Sequence, residues 1–465
     1  MKTGKYFGTD GFRGRAGVTL TAEHAFKIGR FLGAYFNLTN GGKSRAVIGK
    51  DTRLSSYNLE AALVAGLTSS GTDAYLMHVT TTPSVSYVTR CDGFDFGVMI
   101  SASHNPFYDN GIKLFNGNGE KMQQDIINYL EDYLSGNKSA LKIFGNAAQN
   151  MGDVPFSKDE NLGRSVDYVA GRNRYIGHLI ALSTCSYKRF KIGLDCANGS
   201  AFSIAKSVFS ALGATVFSIG DCPDGLNVNK NCGSTNLLNL QKLVIEKGLD
   251  IGFAFDGDAD RCICVDSDGK VVDGDGIIFV LANYLKEHGE LYNNLAIVTV
   301  LSNSALISSL KNRGVNCVTC GVGDRLVAEK MQKEGASLGG EQSGHIILSK
   351  VESTGDGVVT AIKIMEAIIE SKQPLKKLLQ DYVPLPQVNK NIAVKDKVQV
   401  ISDVGLIKTV ERIKRRLEGE GRIILRPSGT ENVIRITVEC SDMERCEKYC
   451  DIVADKIVQI CQKGA

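Results

Sequence analysis

The sequence predicts a multi-domain α/β protein, with three related α/β domains followed by a smaller α+β domain. Three observations carry this. A unit made of an apolar β-rich run, a polar loop, a helical stretch, a Gly and a second β-rich run recurs three times. Polar, turn-rich stretches at residues 146–159 and 374–386 separate regions of domain size. The chain has 465 residues, which at roughly 150 per domain gives about three domains.

In the first repeat, residues 46–49 read as a strand, 51–53 as a loop, 57–70 as a helix and 74–77 as the next strand, with Gly71 between the last two. The second repeat runs through a strand at 191–194, a loop at 196–199, a helix ending near Leu212, Gly213 and a strand at 215–217. The third has a strand at 296–300, a loop at 302–303, a helix ending near Asn312, Gly314 and a strand at 316–318. Each Gly falls where a helix ends in a left-handed residue before the chain turns into a strand. Beyond Pro386 the pattern changes to a helix at 402–417, strands at 422–425 and 433–438, and a final helix. That helix aligns Met443, Cys446, Cys450, Val453, Ile457 and Cys461 on one apolar face. The expected domains are 1–150, 151–252, 253–372 and 373–465.

Composition narrows the function classes. Hydrophobic residues make up 43% and charged residues 23%, so the chain is not disordered. Fifty glycines imply many turns and loops that approach something closely. A formal charge of +3 offers no footprint for nucleic acid or an anionic membrane. The basic cluster Arg412, Lys414, Arg415 and Arg416 reads as the solvated face of a helix. The N-terminus lacks the apolar core of a signal peptide, so a cytoplasmic location is expected. The uncharged stretch 291–310 is interrupted by polar residues and reads as strand, loop and helix rather than a membrane span. Thirteen cysteines, an odd count, are expected to be reduced thiols, and Cys317-Val-Thr-Cys320 to be core rather than a zinc or redox site.

Four loops carry chemistry. Asp256-Gly-Asp-Ala-Asp-Arg261 follows the apolar run 251–255, and carboxylates at alternate positions of an extended segment point the same way. Three such charges repel unless a cation lies between them, and an oxygen-only set suits Mg²⁺ or Ca²⁺. An EF-hand is excluded, because Arg261 and Ser267 stand where it needs Gly and Glu. Ser101-Ala-Ser103-His104-Asn105-Pro106 leaves the buried-looking strand 96–100, and strand-terminal loops of α/β folds bind ligands. It is not a hydrolase nucleophile elbow. Gly339-Gly-Glu-Gln-Ser-Gly-His345 offers Glu341, Ser343 and His345 to a polyol or amine. Arg426-Pro-Ser-Gly-Thr-Glu431, followed by Arg435, supplies two guanidiniums, two hydroxyls and a flexible turn, which suit a phosphate dianion. A Walker loop is absent, because Asn37 stands where its first Gly would be.

These loops, in this order over the whole chain, resemble the α-D-phosphohexomutase superfamily. The serine loop resembles its phosphoserine loop, residues 256–261 its metal loop, 341–345 its sugar loop and 426–431 its phosphate loop. Phe7-Gly-Thr-Asp-Gly-Phe-Arg13-Gly14 also matches. Gly-Glu-Gln-Ser-Gly-His, Pro223-Asp-Gly-Leu-Asn-Val-Asn, Cys232-Gly-Ser-Thr and Gly321-Val-Gly-Asp-Arg325 resemble the bacterial phosphoglucosamine mutase branch. Asn432, where that branch usually has Pro, and Leu326, where it usually has an aromatic, depart from the pattern.

The resemblance implies a heart-shaped, four-domain fold with the site in a central cleft, the phosphoserine loop in the first domain, metal and sugar loops in the third and the phosphate loop in the fourth. It implies an isomerase of glucosamine 6-phosphate and glucosamine 1-phosphate, working through phosphorylated Ser103 and a 1,6-bisphosphate, in UDP-N-acetylglucosamine and cell-wall precursor synthesis. One Mg²⁺ would be held by Asp256, Asp258, Asp260 and the Ser103 phosphate, and a hexose or hexosamine 1,6-bisphosphate would activate. Lys113, with His104 or Arg13, would move the proton. Arg261, Glu341, Ser343, His345, Arg426, Ser428, Gly429, Thr430 and Arg435 would bind substrate. A monomer or homodimer with no nucleic-acid or membrane partner is expected. A phosphomannomutase/phosphoglucomutase, or a sugar-phosphate-binding regulator without catalysis, remain the alternatives.

Overall fold

The computed structural model describes residues 4–8, 10–428 and 432–463. It divides into two units, one of residues 1–300 and 315–379, the other of residues 301–314 and 380–465.

The larger unit holds three sheets built on one plan. In the first sheet, Arg45–Lys50 pairs in parallel with Asp73–Val79 on one side and Phe96–Ile100 on the other, and Asp109–Asn116 returns antiparallel beside Phe96–Ile100. In the second, Lys191–Asp195 lies between Thr215–Ile219 and Ile251–Phe255, and Cys262–Asp266 returns antiparallel. In the third, Leu295–Thr299 lies between Asn316–Cys320 and Leu338–Gly340, and Ile346–Leu348 returns antiparallel. Each sheet thus has two parallel strands found as a sequence repeat, then a hairpin that the repeat did not reveal. The three loops crossing these hairpins are the serine, acidic and Gly-rich loops. The predicted repeat glycines do adopt positive φ, +88° at Gly71, +99° at Gly213 and +69° at Gly314. Lacking Cβ, they take this conformation without the cost other residues incur.

The ladders correct the expected boundaries. Residue 252 lies inside the strand Ile251–Phe255, whose parallel pairing with Lys191–Asp195 keeps it and the acidic loop in the second sheet rather than the third domain. Ser165–Asp167 pairs with Asp73–Val79, so the first sheet extends past residue 150.

The strands are buried on both faces. Phe96–Ile100 and Ile251–Phe255 are buried at every residue, as parallel strands covered by helices require. Loops leaving the ends of such strands start from fixed positions. Helix Gly357–Ser371 is capped by the Asp356 carboxylate, which accepts the Val358 and Val359 N–H groups at 2.9 and 3.0 Å. Its first residue donates its N–H to Ala259 O at 3.0 Å, docking the helix on the acidic loop.

In the smaller unit, Val433–Cys440 lies between Gln387–Ala393 and Gly421–Pro427, all antiparallel. Gln387–Ala393 was not foreseen in the sequence. Leu406, Val410 and Ile413 of helix Val404–Arg416 join Cys446, Cys450, Val453 and Ile457 of helix Met443–Lys463 in one core. Met443 is left exposed. Arg412, Lys414, Arg415 and Arg416 are all exposed, as a solvated face should be. The third repeat's helix Ser304–Asn312 belongs to this unit, because Asn303 exchanges hydrogen bonds with Leu385 and the Glu439 carboxylate accepts the Ser304 N–H.

All thirteen cysteines are free, and Cys317 and Cys320 are half-buried, with Cys320 packed against the hydrophobic core of the third sheet. Among the described residues, no helix is long and apolar enough to cross a membrane.

Candidate active site

The serine, acidic and Gly-rich loops, separated by some 240 residues of sequence between Ser103 and His345, converge in the larger unit. Ser103 sits just past the strand Phe96–Ile100 with φ +54°. A left-handed serine costs on the order of 1–2 kcal/mol, so the surroundings must hold it. Arg53, fully buried, donates to the carbonyl oxygens of Ser103 at 2.9 Å, Asn105 at 2.8 Å and Asp109 at 3.1 Å, and to that of Pro106. Asp51 orients this guanidinium at 2.7 Å and accepts the Ser101 hydroxyl at 2.7 Å, while Ser101 Oγ accepts the Ser103 N–H at 2.9 Å.

The loop so fixed aims the Ser103 hydroxyl at Asp256. It donates to Asp256 Oδ2 at 2.5 Å and lies 3.3 Å from His104 Nδ1. Asp256, Asp258 and Asp260 are buried, with ligand-type oxygens all within 4.8 Å of one another. They converge through a tight turn with Ala259 left-handed at φ +56°, not through the extended run the sequence suggested. Asp258 Oδ1 and Asp260 Oδ1 have no hydrogen-bond partner. Burial first, then the neighbouring Asp260 and Asp258 charges, push the Asp256 carboxyl well above its usual range. Three buried carboxylates, two of them with an oxygen that takes no hydrogen bond, and no soft donors fit a hard divalent cation.

Lys113, on the strand Asp109–Asn116 opposite Met99, reaches into this cluster. Its ammonium donates to Asp258 Oδ2 at 2.7 Å and Asp260 Oδ2 at 3.0 Å, and lies 3.5 Å from Asp10 Oδ2. Burial disfavours its charge, but Asp10, Asp258 and Asp260 outweigh that and hold it well above an ordinary lysine. Burial likewise opposes the Asp260 charge, yet Lys113 and His345 keep that carboxyl well below its usual range. Arg13 pairs with Asp10 and donates to Asn105 Oδ1 at 3.4 Å. His104 is pushed down to about 3 by burial and by Arg261 and Arg13, so its imidazole is neutral near pH 7. Arg261 places Nε 3.9 Å from Asp260.

The Gly-rich loop folds onto the acidic one, with Gly344 O accepting the Cys262 N–H at 3.0 Å. Glu341 Oε1 accepts the Gly323 N–H at 2.9 Å, and Ser343 is exposed. His345 is buried 3.7 Å from Asp260 and 4.0 Å from Asp324, so it faces the acidic cluster rather than open space. In the smaller unit, Arg426 and Arg435 stand at facing register positions, and Ser428 closes the hairpin by donating its N–H to Val433 O at 2.9 Å. Gly429 and Thr430 lie outside the described residues.

The site also contains residues that sequence reasoning did not select. Asp10 joins Lys113, Arg13 and Lys121, and its neighbours Phe7 and Arg13 had marked the segment. In the sequence Asp51 and Arg53 read only as the polar loop of the first repeat. Thr82, whose hydroxyl donates to Asp258 Oδ2, carried no sequence signal.

Comparisons with known proteins agree over the whole chain. The four phosphoglucomutase/phosphomannomutase domain families match in order: alpha/beta/alpha domain I at residues 4–140, domain II at 173–269, domain III at 273–385 and the C-terminal domain at 390–456. A phosphoglucosamine mutase of Lachnospira eligens is 52% identical over 98% of this chain and 98% of its own. Among solved structures, a phosphoglucomutase/phosphomannomutase family protein of Burkholderia thailandensis shares the fold at TM-score 0.77 and 22% identity, covering 99% of this chain and 98% of the other. An Aspergillus fumigatus N-acetylphosphoglucosamine mutase, solved in complex with GlcNAc-6P and magnesium, does so at TM-score 0.67 and 17% identity, covering 98% and 96%. With its three hairpin loops meeting at Ser103 and the acidic triad, the chain belongs to the phosphoglucosamine mutase branch of the phosphoglucomutase/phosphomannomutase family.

Proposed function

We propose that this chain interconverts glucosamine 6-phosphate and glucosamine 1-phosphate through phosphorylated Ser103 and a 1,6-bisphosphate intermediate. The observation that carries the reading is the Ser103 hydroxyl, 2.5 Å from Asp256 within a buried acidic triad that has two oxygens without a hydrogen-bond partner. Asp256, Asp258 and Asp260, with a phosphate oxygen on Ser103, would hold one Mg²⁺. Bound there, the ion neutralises charge on the transferring phosphoryl group, where phosphoryl-transfer enzymes gain most.

In the first half-reaction the Ser103 Oγ–P bond breaks and a P–O bond forms to the 1-hydroxyl of the sugar. In the second, the 6-phosphate returns to Ser103 and glucosamine 1-phosphate leaves. Lys113 gives or takes the proton at the sugar oxygen. The 1-hydroxyl proton ends on Ser103 Oγ as the Oγ–P bond breaks in the first half-reaction; in the second, Lys113, held charged by Asp10, Asp258 and Asp260, donates to the 6-oxygen as that oxygen leaves phosphorus. Neutral His104, beside Ser103 Oγ, can accept a proton there. Glu341 and Ser343 would take sugar hydroxyls or the 2-amino group, and Arg426, Ser428 and Arg435, with Gly429 and Thr430, the phosphate that is not reacting. A trace of hexose or hexosamine 1,6-bisphosphate would keep Ser103 phosphorylated, and the product would enter UDP-N-acetylglucosamine and cell-wall precursor synthesis.

The test is turnover with Mg²⁺ and a trace of hexose 1,6-bisphosphate, comparing kcat/KM for glucosamine, glucose and mannose phosphates. A preference for the amino sugar of about a hundredfold, roughly 2.7 kcal/mol of discrimination, is expected. Equal or better turnover of glucose or mannose phosphates would move the activity to the phosphomannomutase/phosphoglucomutase type.

A further inference from the structure

Two parts of the second sheet's loops remain without a role in this chemistry, the segment Pro223-Asp-Gly-Leu-Asn-Val-Asn and the turn after Lys191–Asp195. They contain left-handed residues that are not glycine, Ala197 at φ +56°, Asn198 at +48° and Asn229 at +58°. Such conformations persist only where the surroundings fix them. Here they fix one another, since Asn229 donates its N–H to Ala197 O at 2.8 Å. The product of this backbone arrangement is the placement of one carboxamide. Asn229 Nδ2 donates to Ser103 O at 2.8 Å and to Asn105 O at 3.1 Å.

Those are the same two carbonyl oxygens that Arg53 holds from the first sheet's side. The acidic loop meets them at the same point. A Cβ added to Gly257 would lie 2.5 Å from Ser103 O and 3.2 Å from Asn229 Nδ2, so Gly257 presses against both groups. Asn229 is therefore where the nucleophile's backbone, the acidic turn and the second sheet are tied together.

We propose that Asn229 is a positioning residue for Ser103: its carboxamide, set by its own left-handed backbone, clamps the Ser103 and Asn105 carbonyls and so fixes the Ser103 hydroxyl against the acidic triad. Its position in the phosphoryl-transfer reaction rests on the function proposed above. The clamp itself rests only on the geometry.

Three variants separate the parts. Asn229→Gly keeps a residue at ease with positive φ and removes only the carboxamide. Asn229→Asp keeps shape and backbone preference but turns the donor into an acceptor facing two carbonyl oxygens. Asn229→Gln serves as the attempted rescue of the donor from a longer arm. Each is studied as the full chain with Mg²⁺ in two measurements. Hydrogen exchange of residues 101–106 reads the clamp, and single-turnover transfer of labelled phosphate from glucose 1,6-bisphosphate to Ser103 reads the positioning, with Ser103→Ala as the blank.

For Asn229→Gly we expect faster exchange confined to the Ser103 loop and a transfer rate lower by about 10- to 100-fold, the scale at which misplacing a reacting group by about 1 Å is felt. KM for the bisphosphate should stay within about threefold of wild type and the melting temperature nearly unchanged. Asn229→Asp should be slower still, and Asn229→Gln should recover part of the rate. Wild-type exchange and wild-type transfer in Asn229→Gly would overturn the proposal. So would a rate loss that follows the melting temperature across the three variants, which marks a structural role only. If wild type takes no label on Ser103, the phosphoserine reading fails and the positioning role with it, while localised exchange in Asn229→Gly would still establish the clamp.

Discussion

Replacing Lys113 with Met tests the electrostatics of the acidic cluster directly. The side chain is 6% exposed, and its ammonium lies 2.7, 3.0 and 3.5 Å from carboxylate oxygens of Asp258, Asp260 and Asp10. At an effective dielectric of about 20, these contacts are worth roughly 6, 5 and 5 kcal/mol before desolvation. Burial of the four groups returns most of that sum, which is why removing one partner of a buried ion pair costs only about 3–5 kcal/mol. Methionine has nearly the same length and leaves little cavity, so the cost isolates charge from packing.

The consequence is specific in sign. Without the ammonium, Asp10 and Asp260 lose the first cation that depresses them, so their folded-state pKa values rise toward the unfolded ones, while Lys121 and Arg13 still act on Asp10 and His345 and Arg261 on Asp260. A depressed carboxyl contributes stability that is present above its unfolded pKa and lost as pH falls through the folded value, so what the variant forfeits is full at neutral pH and fades only near and below the unfolded pKa. The metal-free Lys113→Met protein should therefore melt several degrees below wild type at pH 8, and the gap should narrow only toward about pH 4, near the unfolded carboxyl value. Mg²⁺ should stabilise the variant more than wild type, because no ammonium competes for Asp258 and Asp260. At 100 times Kd the ion contributes about 2.7 kcal/mol. Differential scanning calorimetry with EDTA and with Mg²⁺ at both pH values measures all of this. Equal melting temperatures at pH 8, or a Mg²⁺ gain no larger in the variant, would refute the argument that these carboxylates are held together by cationic charge.

Two further outcomes are expected. Ser103→Ala should keep the fold, losing about 1–3 kcal/mol with the hydrogen bond to Asp256, while turnover falls by at least about 10⁴-fold and no phosphate is found on the protein by intact-mass spectrometry; retained mutase activity would end the phosphoserine mechanism. Asp356, buried and bonded to Tyr175 at 2.5 Å, has a carboxyl pushed up from 3.8 to about 7 by burial and by Glu352. Because this acid is raised in the folded state, its contribution turns unfavourable as pH rises from about 4 to 7, on the order of 4 kcal/mol at the upper end. Asp356→Asn, which can still cap helix Gly357–Ser371, should flatten the fall in melting temperature between pH 5 and pH 8, and an unchanged slope would assign that fall to other groups.

What the sequence made legible follows from how each signal is encoded. The parallel strands and crossover helices of the three sheets are local, with an apolar run, a helix and a Gly within some thirty residues, and all three repeats were visible. The antiparallel hairpins were not seen as a repeat, because their strands Asp109–Asn116, Cys262–Asp266 and Ile346–Leu348 differ in length and carry no shared punctuation. For that reason the boundary expected at 252 cuts a strand that only its pairing with Lys191–Asp195 assigns. The groups proposed to react are legible because chemistry restricts residue types. A serine, three alternating aspartates and an arginine-flanked turn have few substitutes. The supporting groups are not restricted in that way. Thr82 contributes one hydroxyl, Arg53 a set of hydrogen bonds to backbone oxygens, and Asn229 a single carboxamide. Any of these could be read as a cap, a surface charge or a turn until the partner is known. Their partners lie 176, 50 and 126 positions away in the chain. Residues that react can be recognised by what they are, whereas residues that position them can be recognised only by what they touch. The latter class decides whether Ser103 stands at bonding distance from Asp256.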